Sequence, residues 1–235
     1  MKSPDTRFYV STLSTGTLSL SCEESAHAVR VCRVRPGDIL NLTDGKGHFA
    51  QGTVEKADAR ECLVKVEAIE TSDREQPKLH LGLACLKDDA NEEVALHVSE
   101  MEVGSITLLR TEHSEEPKDS NLQKVVRRCE LKALVSLKQS LKDWLTEIRG
   151  PVPFEDWLKT YDGDIILCDM DGEDSLGEIS KDTTLLVGPE GGFSKKEIEL
   201  VKAYSHGQVK LLKLGKTRLR ARTAAIVGIG KVIPN

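Results

Sequence analysis

Apolar residues in this chain follow two rhythms, one on each side of the polar stretch Thr71–Pro77. Before it, short runs alternate apolar and polar positions and are separated by Gly/Pro turns, the pattern of half-buried strands. Strands are expected at Arg7–Val10, Ile39–Thr43, His48–Val54 and Cys62–Ile69, with a hairpin turn at Asp44–Gly47 and a turn at Arg35–Asp38. Glu23–Val34 carries Ala26 and Val29 at near-helical spacing and predicts a short helix. Short strands joined in this way predict a small β-barrel over residues 1–72. The polar stretch ends in a proline and reads as a linker.

After the linker, apolar runs alternate with helical spacing. Strands are expected at Leu79–Cys85, Ser105–Leu109, Asp164–Asp169 and Thr183–Val187. Helices are expected at Asn91–Met101, at Asp119 to about Leu145 with Leu122, Val125, Val126 and Cys129 inward, at Phe154–Lys159 and at Lys195–Tyr204. A last strand–turn–helix unit follows, Leu211–Gly215 and then Lys216–Ala225. This order predicts an α/β domain over residues 73–235 with a mainly parallel, buried sheet. Two of its turns stand out. Gly188-Pro189-Glu190-Gly191-Gly192 follows a buried strand, and Ser194 with Glu197 forms a capping-box pattern for the next helix. The turn at Leu214-Gly215 is its counterpart. Two such turns at the ends of neighbouring strands make a plausible floor for one small-molecule site.

Composition narrows the classes. The chain has 235 residues, 39% apolar and 30% charged, as in a soluble globular protein, and aromatics are only 4%, so aliphatic side chains must fill the cores. The net charge of −5 argues against a surface coated in basic groups. No apolar run is long enough to span a bilayer, and the N-terminus lacks the apolar core of a signal peptide, so no membrane partner and a cytoplasmic location are expected. The six cysteines contain no C-x-x-C pair and read as buried free thiols.

The candidate chemistry is selective. Gly188–Gly192 is neither a dinucleotide fingerprint nor a phosphate-binding P-loop, and Glu190 would repel an anion but suits a neutral or cationic ligand. Asp169, Asp171, Glu173 and Asp174 cluster after a strand; without metal-ligand spacing they read as a solvated loop. The six histidines show no paired spacing, so no metal is assigned. No nucleophile motif is present. Arg7, Arg30, Arg33, Arg35 and Lys46 in the first part are either phosphate contacts or solvated surface.

Taken together, Leu186-Val187-Gly188-Pro189-Glu190-Gly191-Gly192-Phe193-Ser194 with Glu197, then Leu214-Gly215, Leu219-Arg220 and Thr223-Ala224, resemble the C-terminal signature of the small-subunit (16S) ribosomal RNA uridine-N3 methyltransferases of the SPOUT superfamily. Arg7-Phe8, His27, Val29-Arg30, Val34, Pro36-Gly37-Asp38 and Asp44-Gly45 are similar to that family's N-terminal PUA-like barrel, and Leu79–Gly82, Glu100 and Gln139-Ser140 to its middle. The resemblance implies a homodimer with an RNA-binding barrel and a catalytic domain that carries a trefoil knot near its C-terminus. It implies S-adenosyl-L-methionine held by three loops: the one after Leu167; Leu186 with Gly188, Pro189, Glu190, Gly191 and Gly192; and Leu214, Gly215, Leu219, Arg220, Thr223 and Ala224. The reaction would be methyl transfer to uridine N3 in the small ribosomal subunit, with Arg220 stabilising the developing anion on the base.

The chain departs from the pattern at several points. Ala221-Arg222 stands where a Thr-Glu pair is usual, a charge reversal expected beside the cofactor. His97 and Glu102 replace a Lys and a Gly, a basic residue is missing near Ala90, and His113-Ser114 replaces Arg-Ser. Lys138-Gln139-Ser140 and Lys142 stand for Glu-Gln-Ser and a downstream Arg. These leave three readings: a divergent member in which Arg222 or Lys142 substitutes for lost cations, a SPOUT enzyme with another RNA target, and a non-catalytic RNA- or ribosome-binding homologue.

Overall fold

The computed structural model describes residues 6–74, 78–114 and 122–233, and within them two compact units. The expected helix start at Asp119, the side chain of Leu122 and the linker residues 75–77 lie outside the described residues.

The first unit comprises 1–74 together with Val135–Leu145. Its strands are β1 (Arg7–Tyr9), β2 (Gly16–Ser19), β3 (Ile39–Thr43), β4 (His48–Lys56), β5 (Leu63–Val66) and β6 (Glu70–Thr71). They form one sheet in the order β1-β3-β4-β5-β2, with β6 paired to β4. The β1–β3 pair is parallel and the others are antiparallel. In β4 the alternation is strict: Ala50, Gly52 and Val54 are buried, Gln51, Thr53 and Glu55 exposed. The buried set packs with Phe8, Leu40, Leu42 and Val64. The β3–β4 turn is held by Asp44, whose carboxylate accepts the Lys46 N–H at 2.8 Å and contacts His48 Nδ1 at 2.7 Å.

The expected helix over Glu23–Val34 is not continuous. Helix α1 (Cys22–Ala26), capped by Ser21, passes into a π-helical turn His27–Val31, and Arg33 adopts φ +58°. The chain thereby turns before Val34, whose N–H reaches the Ala28 carbonyl at 3.1 Å. Strands β2 and β6 lie outside the expected set. So does the docking of Val135–Leu145, which brings Lys138 to Glu24 at 2.6 Å and Leu145 N–H to the Gly45 carbonyl at 2.8 Å.

The second unit contains β7 (Leu79–Ala84), α2 (Ala90–Val98), β8 (Val103–Arg110), the start of α3 (Leu122–Ser140), β9 (Glu147–Pro153), α4 (Phe154–Thr160), β10 (Asp164–Glu173), β11 (Thr183–Val187), α5 (Lys195–Lys202), β12 (Val209–Leu212) and α6 (Ala221–Val232). The sheet order is β12-β10-β11-β7-β8-β9, and every pair is parallel. Both faces are covered, as an all-parallel sheet requires. Ile166, Leu185 and Val187 point to the cluster with α2 and α6; Ile165, Leu167 and Leu186 point to the cluster with α4 and α5. That double burial explains the continuous apolar runs. Strand β9 was masked in the sequence by Pro151 and Pro153; it occupies a sheet edge, where missing N–H donors are tolerated.

Two further boundaries differ from expectation, and both shape the site. Strand β10 runs past Asp169 to Glu173, but both Cys168 and Glu173 pair with Leu212, so Asp169–Gly172 bulge out between them. The last helix begins at Ala221, not Lys216, leaving Lys213–Arg220 as a loop.

Candidate functional site

Strands β12, β10 and β11 are neighbours, and the chain leaves the C-terminal end of each through a loop. In open parallel sheets this end is where ligands bind. Here the loops enclose a cavity of about 560 Å³, within the ordinary range for small-molecule sites.

The first wall is the β10 bulge with Leu167, Cys168, Asp169 and Met170. Asp169 accepts the Asp171 N–H at 2.9 Å through Oδ1. Met170 is 48% exposed beside the cavity. Burial pushes the Cys168 thiol up to about 12, which keeps it protonated.

The second wall is the turn after β11: Gly188, Pro189, Glu190, Gly192 and Phe193. Gly192 sits at φ +74°, and its N–H returns to the Pro189 carbonyl at 2.8 Å. A Cβ at Gly188 would meet the Phe193 ring and backbone N at 3.1 Å. The expected capping box is formed: Ser194 Oγ accepts the Glu197 N–H, and the Glu197 carboxylate accepts the Ser194 N–H at 2.8 Å.

The third wall is the loop after β12, with Leu214, Thr217, Arg218, Leu219 and Arg220, then Ala221 and Ala224 of α6. Arg220 is the N-cap residue ahead of α6 and gives no side-chain cap, so the helix presents uncapped N–H groups and its positive end. Arg218 donates to the Glu190 carbonyl at 2.9 Å.

The cavity thus has an apolar interior, two carboxylates (Asp169, Glu190), two guanidiniums (Arg218, Arg220) and a helix N-terminus. It brings together nine expected residues: Leu167, Gly188, Pro189, Glu190, Gly192, Leu214, Leu219, Arg220 and Ala224. Four others do not line it. Leu186 is buried in the core beneath, Gly191 packs against His113, Gly215 has open space around it, and Thr223 is exposed. The expected loop after Leu167 supplies Asp169 and Met170, which sequence reasoning did not single out as lining residues because the bulge depends on pairing with β12. Arg218 falls within the expected stretch from Leu214-Gly215 through Leu219-Arg220, but its side chain was not singled out, because a basic residue in a loop carries no pattern.

Arg222 does not line the cavity. It pairs with Glu93 and stands 3.8 Å from Asp89, at the start of α2. The charge reversal therefore falls on a helix–helix contact and not on the cavity. Among the first unit's cations, Arg30, Arg33, Arg35 and Lys46 are exposed. Arg7 differs: its guanidinium is bound to Asp143, donates to the Lys142 carbonyl at 2.8 Å and lies over the Phe49 ring. Arg7 is a tie to Val135–Leu145, not a free cation. His97 lies 3.8 Å from Glu100, and Glu102 is exposed just before β8.

Among the described residues, no group of three or more His, Cys, Asp or Glu is placed to hold a metal ion, and no helix is long and apolar enough to cross a membrane.

Comparison with known proteins places this arrangement. A relative from Mesomycoplasma hyopneumoniae named "Ribosomal RNA small subunit methyltransferase E" is 27% identical over 172 residues, 72% of this chain and 74% of its own length. A Legionella pneumophila protein solved with the bound cofactor S-adenosylmethionine superposes with a TM-score of 0.81 and 28% identity, covering 95% of each chain. A Porphyromonas gingivalis structure described as a "probable rRNA-methyltransferase" gives 0.80 and 28%, covering 96% of this chain and 95% of its own. The model of the RNA methyltransferase domain matches residues 74–233, and that of the RNA methyltransferase PUA domain matches 21–67. The chain belongs to the RNA methyltransferase domain family, with an RNA methyltransferase PUA domain ahead of it.

Proposed function

We propose that the protein transfers a methyl group from S-adenosylmethionine to N3 of a uridine in small-subunit ribosomal RNA. The observation that carries this is the cavity at the ends of β10, β11 and β12. Its lining suits a ligand that is cationic at sulfur, zwitterionic at one end and aromatic at the other. The apolar interior accepts an adenine ring, the carboxylates of Asp169 and Glu190 favour positive charge, and the uncapped α6 terminus favours a carboxylate. When bound, S-adenosylmethionine supplies an electrophilic methyl group. The protonated Cys168 thiol is a poor nucleophile and does not compete for it.

The protein's residues then have two tasks. They hold the base in line with the methyl donor, which supplies much of the acceleration. They also manage the N3 proton. In this reading Asp169 takes it: the residue lines the cavity, and only one of its carboxylate oxygens is engaged by a protein donor among the described residues. Arg220, at the rim and without an ion pair among the described residues, offsets the negative charge that spreads to the uracil oxygens. Met170 offers an apolar face on which the base can rest.

The proposal extends to the rest of the chain. Residues 1–72 bind RNA, through Arg30, Arg33, Arg35 and Lys46, and residues 73–235 are catalytic. The protein works in the cytoplasm as a homodimer, and its C-terminal segment follows a knotted path. The relatives' names and the exposure of these four cations support the RNA-binding part of this reading.

The test is a methylation assay on small ribosomal subunits that lack the modification, with S-adenosylmethionine as donor and mass-spectrometric mapping of the product. N3-methyluridine at one position is expected. Cofactor binding without methylation of subunits would point to another RNA. No cofactor binding at millimolar concentration would leave a non-catalytic RNA-binding role.

A further inference from the structure

The turn after β8 is closed by its own hydrogen bonds and abuts the turn after β11. Thr111 and Ser114 close it: Ser114 Oγ accepts the Thr111 N–H at 3.0 Å, the two hydroxyl oxygens lie 2.7 Å apart, and Ser114 N–H donates to the Thr111 carbonyl at 3.1 Å. The two residues in its middle reach the glycine turn. Glu112 N–H donates to Glu197 Oε1 at 2.9 Å, while Glu197 Oε2 takes the Ser194 N–H. His113 Nδ1 lies 3.0 Å from the Gly192 carbonyl, and its Cβ would be 3.1 Å from a Cβ at Gly191. A carbonyl only accepts, so His113 carries its hydrogen on Nδ1 in this contact.

We infer that His113 is a positioning residue for the cofactor turn. It lies outside the cavity and acts through Gly192, whose φ of +74° sets where Phe193 and the carbonyl of Gly192 stand. Glu197 already anchors the far end of the turn at Ser194 and Arg218 holds Glu190, so His113 fixes the remaining stretch, Gly191-Gly192. The turn's shape is thereby set before a ligand arrives, and preorganisation of this kind appears as affinity. The inference rests on the reading of the cavity as the S-adenosylmethionine site. It also gives a role to the histidine that stands where Arg is usual: a ring N–H donor suffices for this contact, and no permanent charge is needed.

The experiment measures S-adenosylmethionine binding by calorimetry and methyl-transfer kinetics for the full chain, His113→Ala and His113→Asn. An asparagine amide can place an N–H near the position of Nδ1. Loss of one hydrogen bond predicts that His113→Ala raises the Kd and the KM for cofactor about three- to tenfold. The kcat at saturating cofactor and the KM for RNA should stay within about twofold, and His113→Asn should restore most of the affinity. Unchanged affinity in His113→Ala, a fall in kcat with KM unmoved, or an Asn variant no better than Ala would overturn the inference. His113 is exposed, so both variants should melt with the unmodified protein. If the unmodified protein binds no S-adenosylmethionine, the cofactor reading fails separately. Hydrogen exchange at the Gly192 and Ser194 amides then decides: faster exchange in His113→Ala upholds the brace, and unchanged exchange removes it.

Discussion

The guanidinium of Arg218 donates to the main-chain carbonyl of Glu190 at 2.9 Å, joining the loop after β12 to the turn after β11. Both residues line the cavity. One exposed side chain therefore ties two walls of the cavity together.

Arg218→Ala removes that contact without touching the core. Cofactor should dissociate faster, with a rise of about tenfold in Kd, because a hydrogen bond from a charged group contributes roughly 1.5–3 kcal/mol at most and this one is exposed. Arg218→Lys should recover part of the loss. Stopped-flow dissociation with a fluorescent cofactor analogue measures it, and an unchanged off-rate would show that the contact does not restrain the ligand.

The glycines of the site separate by the space around them. Gly188→Ala sets a Cβ at 3.1 Å from the Phe193 ring and backbone, so the turn must shift. The expected cost is about 1–3 kcal/mol of stability, together with weaker cofactor binding. Gly215→Ala meets nothing within 4 Å and has no positive φ, so both properties should hold. Thermal melts and calorimetry on the pair test this; equal effects would mean that Gly215 is constrained by the bound ligand and not by the protein.

The contrast between these glycines marks what could be read from the chain. Strand β11 and the Ser194–Glu197 cap were legible because each depends on a few consecutive residues. The fold class was legible because a sheet buried on both faces leaves continuous apolar runs. Features set by distant partners were not. The β10 bulge needs Leu212 to pair with both Cys168 and Glu173. Arg7 looked like a free cation until Asp143, 136 residues away, came to it. Arg222 looked like a charge beside the cofactor, yet its partner is Glu93 on α2. In each case the residue type was informative and its direction was not.

Burial raises the thiols of Cys129 and Cys168 from 9.0 to about 12. Both groups are acids held neutral in the folded protein and free to ionise near 9 when unfolded. Below pH 9 they cost nothing; between about 9 and 12 unfolding releases their protons, so stability falls as pH rises. Urea melts at pH 8, 9 and 10 should show this fall, and replacing Cys129 with Ala should reduce its slope. Iodoacetamide at pH 8 should label the exposed Cys22 well before Cys168. Prompt alkylation of Cys168 would contradict its assignment as a protonated thiol and remove the reason it spares the methyl donor.

Asp169 offers the sharpest kinetic test of the proposed chemistry. As a base, it lowers the barrier by taking the N3 proton as the carbon–nitrogen bond forms. Asp169→Asn keeps the size and the contact to the Asp171 N–H but cannot accept the proton. Its rate should fall by about 10² to 10⁴ at neutral pH. Cofactor affinity should change far less, since Glu190 also faces the cavity. The loss should shrink as pH rises, because uracil N3–H then ionises without help. It should shrink too on RNA carrying 5-halogenated uridine at the target, whose N3–H is more acidic. A variant with a large, pH-independent loss on both RNAs would assign Asp169 to shaping the β10 bulge, and the proton would have to leave by way of Glu190 or solvent.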